Sequence, residues 1–280
     1  MSSRRVAIIS GGASGIGLAL AESLSLKDWA VHIFDLSQEK GEAAAHRTSA
    51  TAFHQVDVNS WQSLSSAFEN VFRAEKRLDF VFANAGVMEK RGFYARHDTG
   101  LPPPPPEESC IDVNLKGIVR TAYLAQHYFR GNADGAAKDR VLVMTSSVAG
   151  IYPQDITPLY AATKAGIINF MRSVAGPFFK NDGIRTYAIC PGSVRTNLLG
   201  KELWDAYPQN YLTSMDNVTA TVNNLIRGGK MEDSNGKIVD LDVENGLAVE
   251  VFVDDVYFRG PPSPCNDGMK FIMEYMSNAK

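Results

Sequence analysis

Tyr160 and Lys164 are the two side chains in this sequence whose types and spacing most directly suggest chemistry. Residues four positions apart lie next to each other on one face of a helix. An ammonium group beside a phenol favours the phenolate and lowers the pKa of the tyrosine, which is ordinarily near ~10. Such a tyrosine can act as a general base. Because the same spacing also occurs in ordinary surface pairs, other residues must supply the evidence for a reaction site.

A glycine-rich turn near the N-terminus predicts a site for a dinucleotide phosphate. It joins the short apolar run 6–9, which is typical of a strand buried on both faces, to the helical pattern 18–24. Glycines let the backbone turn tightly and approach a pyrophosphate, and a helix N-terminus offers free N–H groups. An ordinary glycine-rich turn is the alternative. The residues expected to contact a dinucleotide here are Gly11, Ser14, Gly15, Ile16 and Gly17.

Asp35 ends the second expected strand, 30–34, and predicts NAD rather than NADP as the cofactor. It lies roughly 20 residues after the glycine turn, where an acid accepts hydrogen bonds from the adenosine ribose hydroxyls. Its carboxylate would repel the 2′-phosphate of NADP, and no Arg or Lys follows it immediately. Capping of the next helix is a second, compatible role. The other residues expected near the adenosine are Leu36, Asp57 and Val58.

Polar and small residues also follow the other expected strands. They are Asn84, Ala85 and Gly86 after strand 78–82, Ser147 after strand 140–144, and Pro191 and Gly192 after strand 184–189. Because ligands bind outside the carboxyl ends of the strands in an open parallel sheet, we expect these residues to share one site. Asn114 is expected inside a helix that spans about 107–126. Asparagine is a poor residue for a helix interior, so Asn114 is a further candidate.

The order of the elements predicts the α/β fold class. Apolar runs alternate with helical patterns from the N-terminus onward, which is typical of βαβ units and a parallel sheet. We therefore expect a single doubly wound parallel sheet of the Rossmann type with helices on both faces. The remaining expected elements are a third strand at 51–56, helices at 60–76 and from Tyr160, a short helix within 193–212, a helix at 219–226 and a last strand at 237–240.

The expected domain spans residues 1–255, without an internal repeat or an interdomain linker. A proline-rich loop interrupts it at about 88–108, where the consecutive prolines Pro102–Pro106 exclude a helix and favour polyproline II. We expect a stiff surface excursion there, and a recognition element for a proline-binding partner is the alternative. Residues 256–280 form a C-terminal extension whose structure the sequence does not predict.

Composition argues against several classes of protein. The net charge of -3, with acids and bases interspersed, leaves no basic patch for nucleic acid or a membrane surface. No apolar run approaches the ~20 residues of a membrane span, and the first apolar run is too short for a signal peptide. The unclustered cysteines Cys110, Cys190 and Cys265 argue against a disulfide framework or a zinc site. We therefore expect a soluble, cytoplasmic protein in a reducing compartment.

Together and in this order, the motifs resemble those of the short-chain dehydrogenase/reductase family. The resemblance covers roughly residues 4–250 and rests on the glycine turn, Asn84-Ala85-Gly86, Asn114, Ser147, Tyr160 with Lys164, and Pro191-Gly192. Within the family, the stretch 188–192 and the layout of the C-terminal strand are similar to hydroxyprostaglandin dehydrogenase-like, NAD-dependent secondary-alcohol dehydrogenases. Two residues depart from the pattern: Ala83 replaces a usual asparagine and Ser10 a usual threonine.

The resemblance implies a role for each candidate residue. Tyr160 would take the proton from a substrate hydroxyl as hydride leaves for the nicotinamide, and Lys164 would lower the tyrosine pKa and bind the nicotinamide ribose. Ser147, rather than its neighbour Ser146, would hydrogen-bond the substrate oxygen. Asn114 would hold a water that relays protons from Lys164. The residues implied at the nicotinamide end are Pro191, Gly192, Val194 and Thr196.

The expected function is NAD-dependent oxidation of a secondary alcohol to a ketone. The expected substrate is a hydrophobic small molecule, such as a terpenoid, steroid, polyketide or fatty-acid derivative. Its expected contacts are Ser147, Tyr152, Gln154, Tyr160, Leu198 and Trp204. The apolar and aromatic residues of the variable segment could equally line this pocket or belong to the core or a subunit contact; these are Leu198, Leu199, Leu203, Trp204, Tyr207 and Tyr211.

The sequence leaves two other functions open, in addition to the recognition of the proline tract by a partner. An NADPH-dependent carbonyl reductase would run the reaction in the opposite direction, although Asp35 argues against it. A non-catalytic dinucleotide-binding scaffold would keep the fold without turnover, although the complete catalytic set argues against it. The family resemblance also implies a homodimer or homotetramer built on the long helices.

Overall fold

The computed structural model describes residues 4–48, 51–90, 92–132 and 140–278. Ten strands are present in this part of the chain. They are β1 (Val6–Ser10), β2 (Ala30–Asp35), β3 (Thr51–Gln55), β4 (Phe80–Ala83), β5 (Val141–Thr145), β6 (Arg185–Pro191), β7 (Lys230–Glu232), β8 (Ile238–Asp240), β9 (Leu247–Phe252) and β10 (Asp255–Arg259).

Eight strands form one sheet in the order β10-β9-β6-β5-β4-β1-β2-β3. Its neighbouring strands pair in parallel, except that β10 pairs antiparallel with β9 at the edge. The chain winds outward from β1 in one direction and from β4 in the other, so the carboxyl ends of these two strands border a crevice suited to a ligand. The predicted α/β class and doubly wound sheet are confirmed, with an antiparallel edge strand added.

Helices cover both faces of the sheet. They are α1 (Gly15–Ser25), α2 (Gln38–Arg47), α3 (Trp61–Glu75), α4 (Gly117–Arg130), α5 (Pro158–Asp182), α6 (Lys201–Ala206), α7 (Met215–Arg227) and α8 (Asp267–Asn278). Successive residues of β1 belong to opposite cores, Val6 and Ile8 with α3–α5, and Ala7 and Ile9 with α1 and α7. Because side chains alternate across a strand, a strand covered on both faces must be apolar at every position.

Asn114 lies in a π-helical stretch, Ile111–Lys116, that leads directly into α4. The helix predicted for about 107–126 therefore begins with π-helical turns, and Asn114 lies inside it as expected. A π-helical stretch is common at functional sites, since its wider turn redirects side chains. Here it accompanies two hydrogen bonds between the side chain of Asn114 and the backbone of Val87, on the loop after β4.

The predicted last strand at 237–240 exists as β8, but it is not part of the main sheet. It pairs with β7 in a separate antiparallel hairpin. The sheet ends instead with β9 and β10, which the sequence analysis did not predict as strands. In β9 the apolar pattern is interrupted by Glu250, a buried carboxylate whose partner is Arg259 on β10. That tertiary ion pair is not visible in a local pattern.

The expected domain boundary at residue 255 falls on the first residue of β10, so the sheet continues to Arg259. Residues 92–108 contain no helix or strand, and the prolines Pro102–Pro106 are exposed. Beyond the sheet, every residue from 261 to 276 is exposed, including the first ten residues of α8. Within the described ranges, no helix combines the length and apolar character needed to cross a membrane.

Candidate active site

A cavity of about 580 Å³ lies at the carboxyl ends of the parallel strands. It brings together most of the residues that the sequence predicted for a site. Those that line it are Gly11, Ser14, Gly15, Ile16, Asp35, Leu36, Asp57, Val58, Asn84, Ala85, Gly86, Ser147, Gln154, Tyr160, Lys164, Pro191, Gly192, Val194, Thr196, Leu198 and Trp204. Three predicted residues, Gly17, Asn114 and Tyr152, are not among its lining residues.

The glycine turn forms one wall of the cavity, and its conformation needs glycine. Gly11 and Gly15 have φ angles of 65° and 54°, in the left-handed region that side chains disfavour. Gly17 lies inside α1, where an added Cβ would come within 2.3 Å of the Gly11 carbonyl oxygen. Gly17 therefore has a packing role, because the turn folds back on the first turn of the helix, and its predicted contact with a cofactor stays a prediction.

Helix α1 begins at this turn without a side-chain cap. Ser14 is the N-cap residue, and its side chain makes no capping hydrogen bond. The N–H groups of the first helical turn are thus left for another acceptor, and the helix dipole favours a negative one. This arrangement fits the pyrophosphate of a dinucleotide, as the strand–turn–helix motif predicts.

Asp35 lies at the end of β2, in the same cavity wall. Its two carboxylate oxygens accept hydrogen bonds from the backbone N–H groups of Ala13, at 3.1 Å, and Ser37, at 3.0 Å. The carboxylate therefore both fastens the glycine turn and borders the cavity. Lys40, on α2, also lines the cavity at this end, and the sequence analysis did not include it. The signal was available in the sequence, because a residue in the first turn of the helix after β2 lies near the end of that strand.

Asn84 holds the ends of three strands together. Its side-chain amide donates to the carbonyl oxygens of Ser10 and Gly11, each at 3.2 Å, and its Oδ1 accepts from the Thr145 hydroxyl at 2.9 Å. The Ser10 hydroxyl in turn accepts from the backbone N–H groups of Asn84 and Ala85. Serine at position 10 therefore supplies a working hydrogen-bonding group where the family usually has threonine.

Tyr160 and Lys164 lie on the first turns of α5 and are both nearly buried, with 8% and 3% exposed. The Lys164 Nζ donates to the Thr145 carbonyl oxygen at 2.9 Å. It lies 5.4 Å from the centroid of the Tyr160 ring. The expected side-by-side arrangement of phenol and ammonium on one helix face is therefore present.

Burial of the site works against the expected lowering of the Tyr160 pKa. Burial raises the pKa of Tyr160 above its ordinary value, and a hydrogen bond from Ser147 lowers it in part. Burial also lowers the pKa of Lys164 to about 8, with Cys190 acting in the opposite direction. The net pKa of Tyr160 is therefore raised, since the low-polarity surroundings that disfavour a phenolate also disfavour the ammonium, and a lowering of this pKa by Lys164 stays a prediction.

The two serines after β5 have different surroundings. Ser146 is buried, and its hydroxyl donates to the backbone carbonyl oxygen of Lys164 at 2.8 Å. Ser147 is half-buried, lines the cavity and accepts a hydrogen bond from the backbone N–H of Ala149 at 3.1 Å. The Ser147 hydroxyl also makes a long contact of 3.5 Å with the Pro191 carbonyl oxygen, and it is the serine that hydrogen-bonds the Tyr160 phenol. This geometry supports the choice of Ser147 over Ser146.

Asn114 is fully buried beneath the site. Its Oδ1 accepts from the backbone N–H of Val87 at 2.8 Å, and its Nδ2 donates to the Val87 carbonyl oxygen at 2.9 Å. A longer contact of 3.4 Å joins Nδ2 to the Thr163 hydroxyl on α5. The side chain thus holds the loop after β4 against the catalytic helix. A role in relaying protons from Lys164 stays a prediction.

The other end of the cavity is more apolar. Leu198, Leu199 and Trp204 line it, together with Gln154. The Trp204 indole N–H donates to the Thr196 carbonyl oxygen at 2.8 Å, which orients the ring. The remaining residues of the same segment, Leu203, Tyr207 and Tyr211, are not lining residues of this cavity.

Tyr152 is placed differently from the prediction. Its ring is 46% exposed, and its hydroxyl lies 3.3 Å from Glu250 and 2.7 Å from Arg259, at the edge of the sheet. A short 3-10 turn, Val148–Gly150, changes the chain direction after Ser147. That turn carries Tyr152 toward β9 and β10, so it does not line the cavity, and its contact with a substrate stays a prediction.

Several residues at the site were not identified from the sequence. Besides Lys40, they include the cavity-lining Val87, Met88, Val113, Val148 and Asn197, and the buried Glu89 next to the first turn of α5. Four of them (Val87, Met88, Val113 and Val148) are apolar, and local patterns do not distinguish such residues from ordinary core. Among the described residues, no group of His, Cys, Asp and Glu side chains is arranged to hold a metal ion.

Comparison with known proteins agrees with this architecture. The model of the family described as short chain dehydrogenase matches residues 5–207. The short-chain dehydrogenase/reductase prx7 of Penicillium rubens is 41% identical over 270 residues, covering 92% of this chain and 95% of that protein. Human 15-hydroxyprostaglandin dehydrogenase [NAD(+)] is 34% identical over 202 residues, covering 70% of each chain.

A solved structure shares the fold. The 3-ketoacyl-(acyl-carrier-protein) reductase from Brucella melitensis, complexed with NADH, superimposes with a TM-score of 0.71 at 21% identity, covering 88% of this chain and 96% of that one. At that identity the similarity shows the fold alone. Together with the family match over residues 5–207 and the 41% identical relative, the sequence and fold show that this chain belongs to the short-chain dehydrogenase/reductase family of oxidoreductases, which bind a nicotinamide dinucleotide.

Proposed function

We propose that the protein oxidises a secondary alcohol on a hydrophobic small molecule to a ketone, with NAD as the hydride acceptor. The observation that carries the proposal is the composition of one cavity. Asp35 borders it at the end of β2, and Ser147, Tyr160 and Lys164 border it at the ends of β5 and α5. The human relative named 15-hydroxyprostaglandin dehydrogenase [NAD(+)] supports both the cofactor and the direction of the reaction.

The residues of the chain divide the chemistry between them. NAD, when bound, supplies the hydride acceptor. The Ser147 hydroxyl holds the substrate oxygen, and the phenolic oxygen of Tyr160 receives the proton that this oxygen loses. Lys164 is a buried positive charge close to the Tyr160 ring, and positive charge there favours the phenolate that proton removal requires.

The substrate class follows from the apolar end of the cavity. Leu198, Leu199 and Trp204 supply an apolar wall, with Gln154 as a polar group nearby. A site of mostly apolar residues with few polar ones suits a hydrophobic molecule with one oriented hydroxyl group. Terpenoid, steroid, polyketide and fatty-acid-derived secondary alcohols all meet this description.

A screen of such alcohols with NAD tests the reaction, by following the absorbance of the reduced cofactor. With the alcohol that responds, Tyr160→Phe is expected to lower kcat by a factor of about 10² to 10⁴, the usual contribution of a general base. The dissociation constant of NADH, measured by fluorescence, is the control and is expected to change little. Turnover by Tyr160→Phe at the wild-type rate would contradict the proposed mechanism.

An NADPH-dependent carbonyl reductase is the second candidate, and Lys40 is the observation that favours it. Lys40 lines the same end of the cavity as Asp35, and an ammonium group there could bind a 2′-phosphate. Comparing the dissociation constants of NADH and NADPH decides between the two. We expect tighter binding of NADH, because the Asp35 carboxylate borders the ribose end. Tighter binding of NADPH would contradict the cofactor assignment.

We further propose a homodimer or homotetramer in the cytoplasm. Membership of a family whose members are commonly oligomeric supports the oligomeric state.

The cytoplasmic location is supported by the three free cysteines, Cys110, Cys190 and Cys265, since disulfides are rare in reducing compartments. Light scattering on the purified protein tests the oligomeric state, and a fluorescent fusion tests the location.

A further inference from the structure

Glu89 is a buried carboxylate next to the catalytic helix that the reaction described above does not use. It lies on the loop after β4, and only 7% of it is exposed. Its Oε2 accepts a hydrogen bond from the backbone N–H of Tyr160 at 2.9 Å. An acidic residue is rarely so buried unless it is paired, so this contact calls for a physical explanation.

The explanation lies in the N-terminus of α5. The first N–H groups of any helix have no partner within the helix. In α5 the first residue is Pro158, which has no N–H, and the N-cap Thr157 makes no side-chain capping bond. The N–H of Tyr160 therefore needs an acceptor from elsewhere, and Glu89 provides it. A carboxylate at this position also interacts favourably with the helix dipole.

The loop that carries Glu89 is itself held firmly. Both backbone groups of Val87 are hydrogen-bonded to the buried side chain of Asn114. At the start of the loop, the Asn84 side chain is bonded to the glycine turn. Glu89 thus connects a loop fastened to the cofactor-binding turn with the backbone of the residue proposed as the general base.

We propose that Glu89 is a positioning residue for the reaction, which fixes the start of α5 and so the location of the Tyr160 phenol relative to Ser147 and the dinucleotide. The inference rests on the proposed function, since it assigns a consequence to the position of Tyr160. Glu89 acts through the length of its side chain rather than through its charge, because the side chain must bring an oxygen to the Tyr160 N–H.

Two conservative variants separate the effect of side-chain length at position 89 from the effect of its charge. Glu89→Gln keeps the length and an accepting oxygen but removes the charge, whereas Glu89→Asp keeps the charge and withdraws the oxygen by one methylene. Glu107→Gln is the matched control. Glu107 belongs to the same excursion between β4 and α4, and it pairs with Lys90 at 3.5 Å and with the Ser109 N–H at 3.2 Å, not with α5.

The measurements are kcat and KM for the responsive alcohol, the dissociation constant of NADH, and the melting temperature. Glu89→Asp is expected to lower kcat about tenfold or more, because small misplacements of catalytic groups have large effects on rate. Glu89→Gln and Glu107→Gln are expected to keep kcat within about threefold of wild type, since the first retains the hydrogen bond and the second never had it. NADH binding is expected to change little in all three, and the melting temperature is expected to fall modestly in Glu89→Asp alone, since that variant leaves a buried N–H without its acceptor.

Other outcomes would overturn the inference. If kcat falls as much in Glu89→Gln as in Glu89→Asp, the charge of Glu89 and not its side-chain length controls the rate. If both variants are fully active, the position of Tyr160 does not depend on Glu89. If kcat falls only together with NADH binding and melting temperature, the role is one of general stability. The Tyr160→Phe variant keeps these results separate from the proposed function, because its full activity would refute the mechanism whatever the Glu89 variants do.

Discussion

At the scale of single residues, the phenol of Tyr160 lies in surroundings that resist its ionisation. Burial raises its pKa, and the hydrogen bond from Ser147 is the contact that opposes this effect. Oxidation of an alcohol needs the deprotonated phenol, so the fraction of active enzyme grows as the pH rises toward the tyrosine pKa. The activity of the oxidation reaction is therefore expected to rise with pH through the alkaline range.

Ser147→Ala tests this balance. Removing the hydroxyl deletes the contact that lowers the pKa of Tyr160, so the rising limb of kcat/KM against pH is expected to move to higher pH. The rate at a fixed pH is also expected to fall by about 10²-fold or more, the loss typical when a hydrogen-bond donor to the reacting oxygen is removed. If the rising limb of the pH profile does not move and the NADH dissociation constant is unchanged, Ser147 does not lower the pKa of Tyr160.

At the scale of elements, the contact between the glycine turn and α1 depends on a missing side chain. Gly17→Ala would bring a Cβ within 2.3 Å of the Gly11 carbonyl oxygen and 2.8 Å of the Asn84 side-chain nitrogen. The turn must then move, and we expect a loss of stability of about 1–3 kcal/mol, as for other overpacked sites. NADH binding is expected to weaken as well, because Asn84 holds that turn in place.

Gly200→Ala is the matched control for that substitution. An added Cβ at Gly200 meets nothing within 4 Å. The free energy of unfolding, measured in urea, is expected to fall by less than about 1 kcal/mol, since Gly200 is the N-cap residue of α6 and alanine is a poorer N-cap than glycine. Equal effects of the two variants on stability would show that the close approach at Gly17 has no energetic consequence.

Strands β2 and β3 carry a pair of histidines that makes stability depend on pH. His32 Nδ1 lies 3.0 Å from His54 Nε2, and His32 Nε2 lies 3.1 Å from Glu75 on α3. Burial and the neighbouring His32 lower the pKa of His54 from 6.5 to about 4. Between these values the unfolded chain binds more protons than the folded protein, so stability falls as the pH drops through this range.

His54→Gln tests this contribution, since glutamine can keep a hydrogen bond to His32 but does not titrate. The melting temperatures of the two proteins are compared between pH 7 and pH 4.5. The decrease on acidification is expected to be smaller in the variant than in the wild type. An identical decrease in both proteins would assign the acid sensitivity to other groups.

At the scale of the whole molecule, the C-terminal segment contributes little to the fold described here. Every residue from 261 to 276 is exposed, including Met269, Phe271 and Met276 of α8. The carbonyl oxygen of Gly260, just after β10, accepts a hydrogen bond from Arg172 of α5 at 2.8 Å. The exposed apolar surface of α8 is thus not buried by the described body of the domain.

Truncation after Gly260 is therefore expected to change the stability of the monomer by less than about 0.5 kcal/mol. The melting temperature and the NADH dissociation constant measure this directly. A marked loss of either, or a change in oligomeric state by light scattering, would show that α8 packs against another surface of the assembled protein.

Much of the domain was predictable because its signals are local. The strand β1 is apolar at every position, and the glycines at 11 and 15 occupy left-handed conformations that other residues avoid. Strands β9 and β10 were not predicted, since Glu250 is acceptable in a buried strand only because Arg259 pairs with it across the sheet. A proline-rich loop at 88–108 and a domain that ends at residue 255 stay predictions.

The fold class, the order of the cofactor-binding segments and the pair Tyr160 and Lys164 were predictable from the chain, because helical spacing and strand-end position are local properties. The surroundings of that pair depend on tertiary packing. It buried the tyrosine and thereby raised its pKa, turned Tyr152 away from the cavity, and brought Glu89 to the backbone of Tyr160. Burial and contacts between distant segments arise only when the layers pack, and no local pattern encodes them.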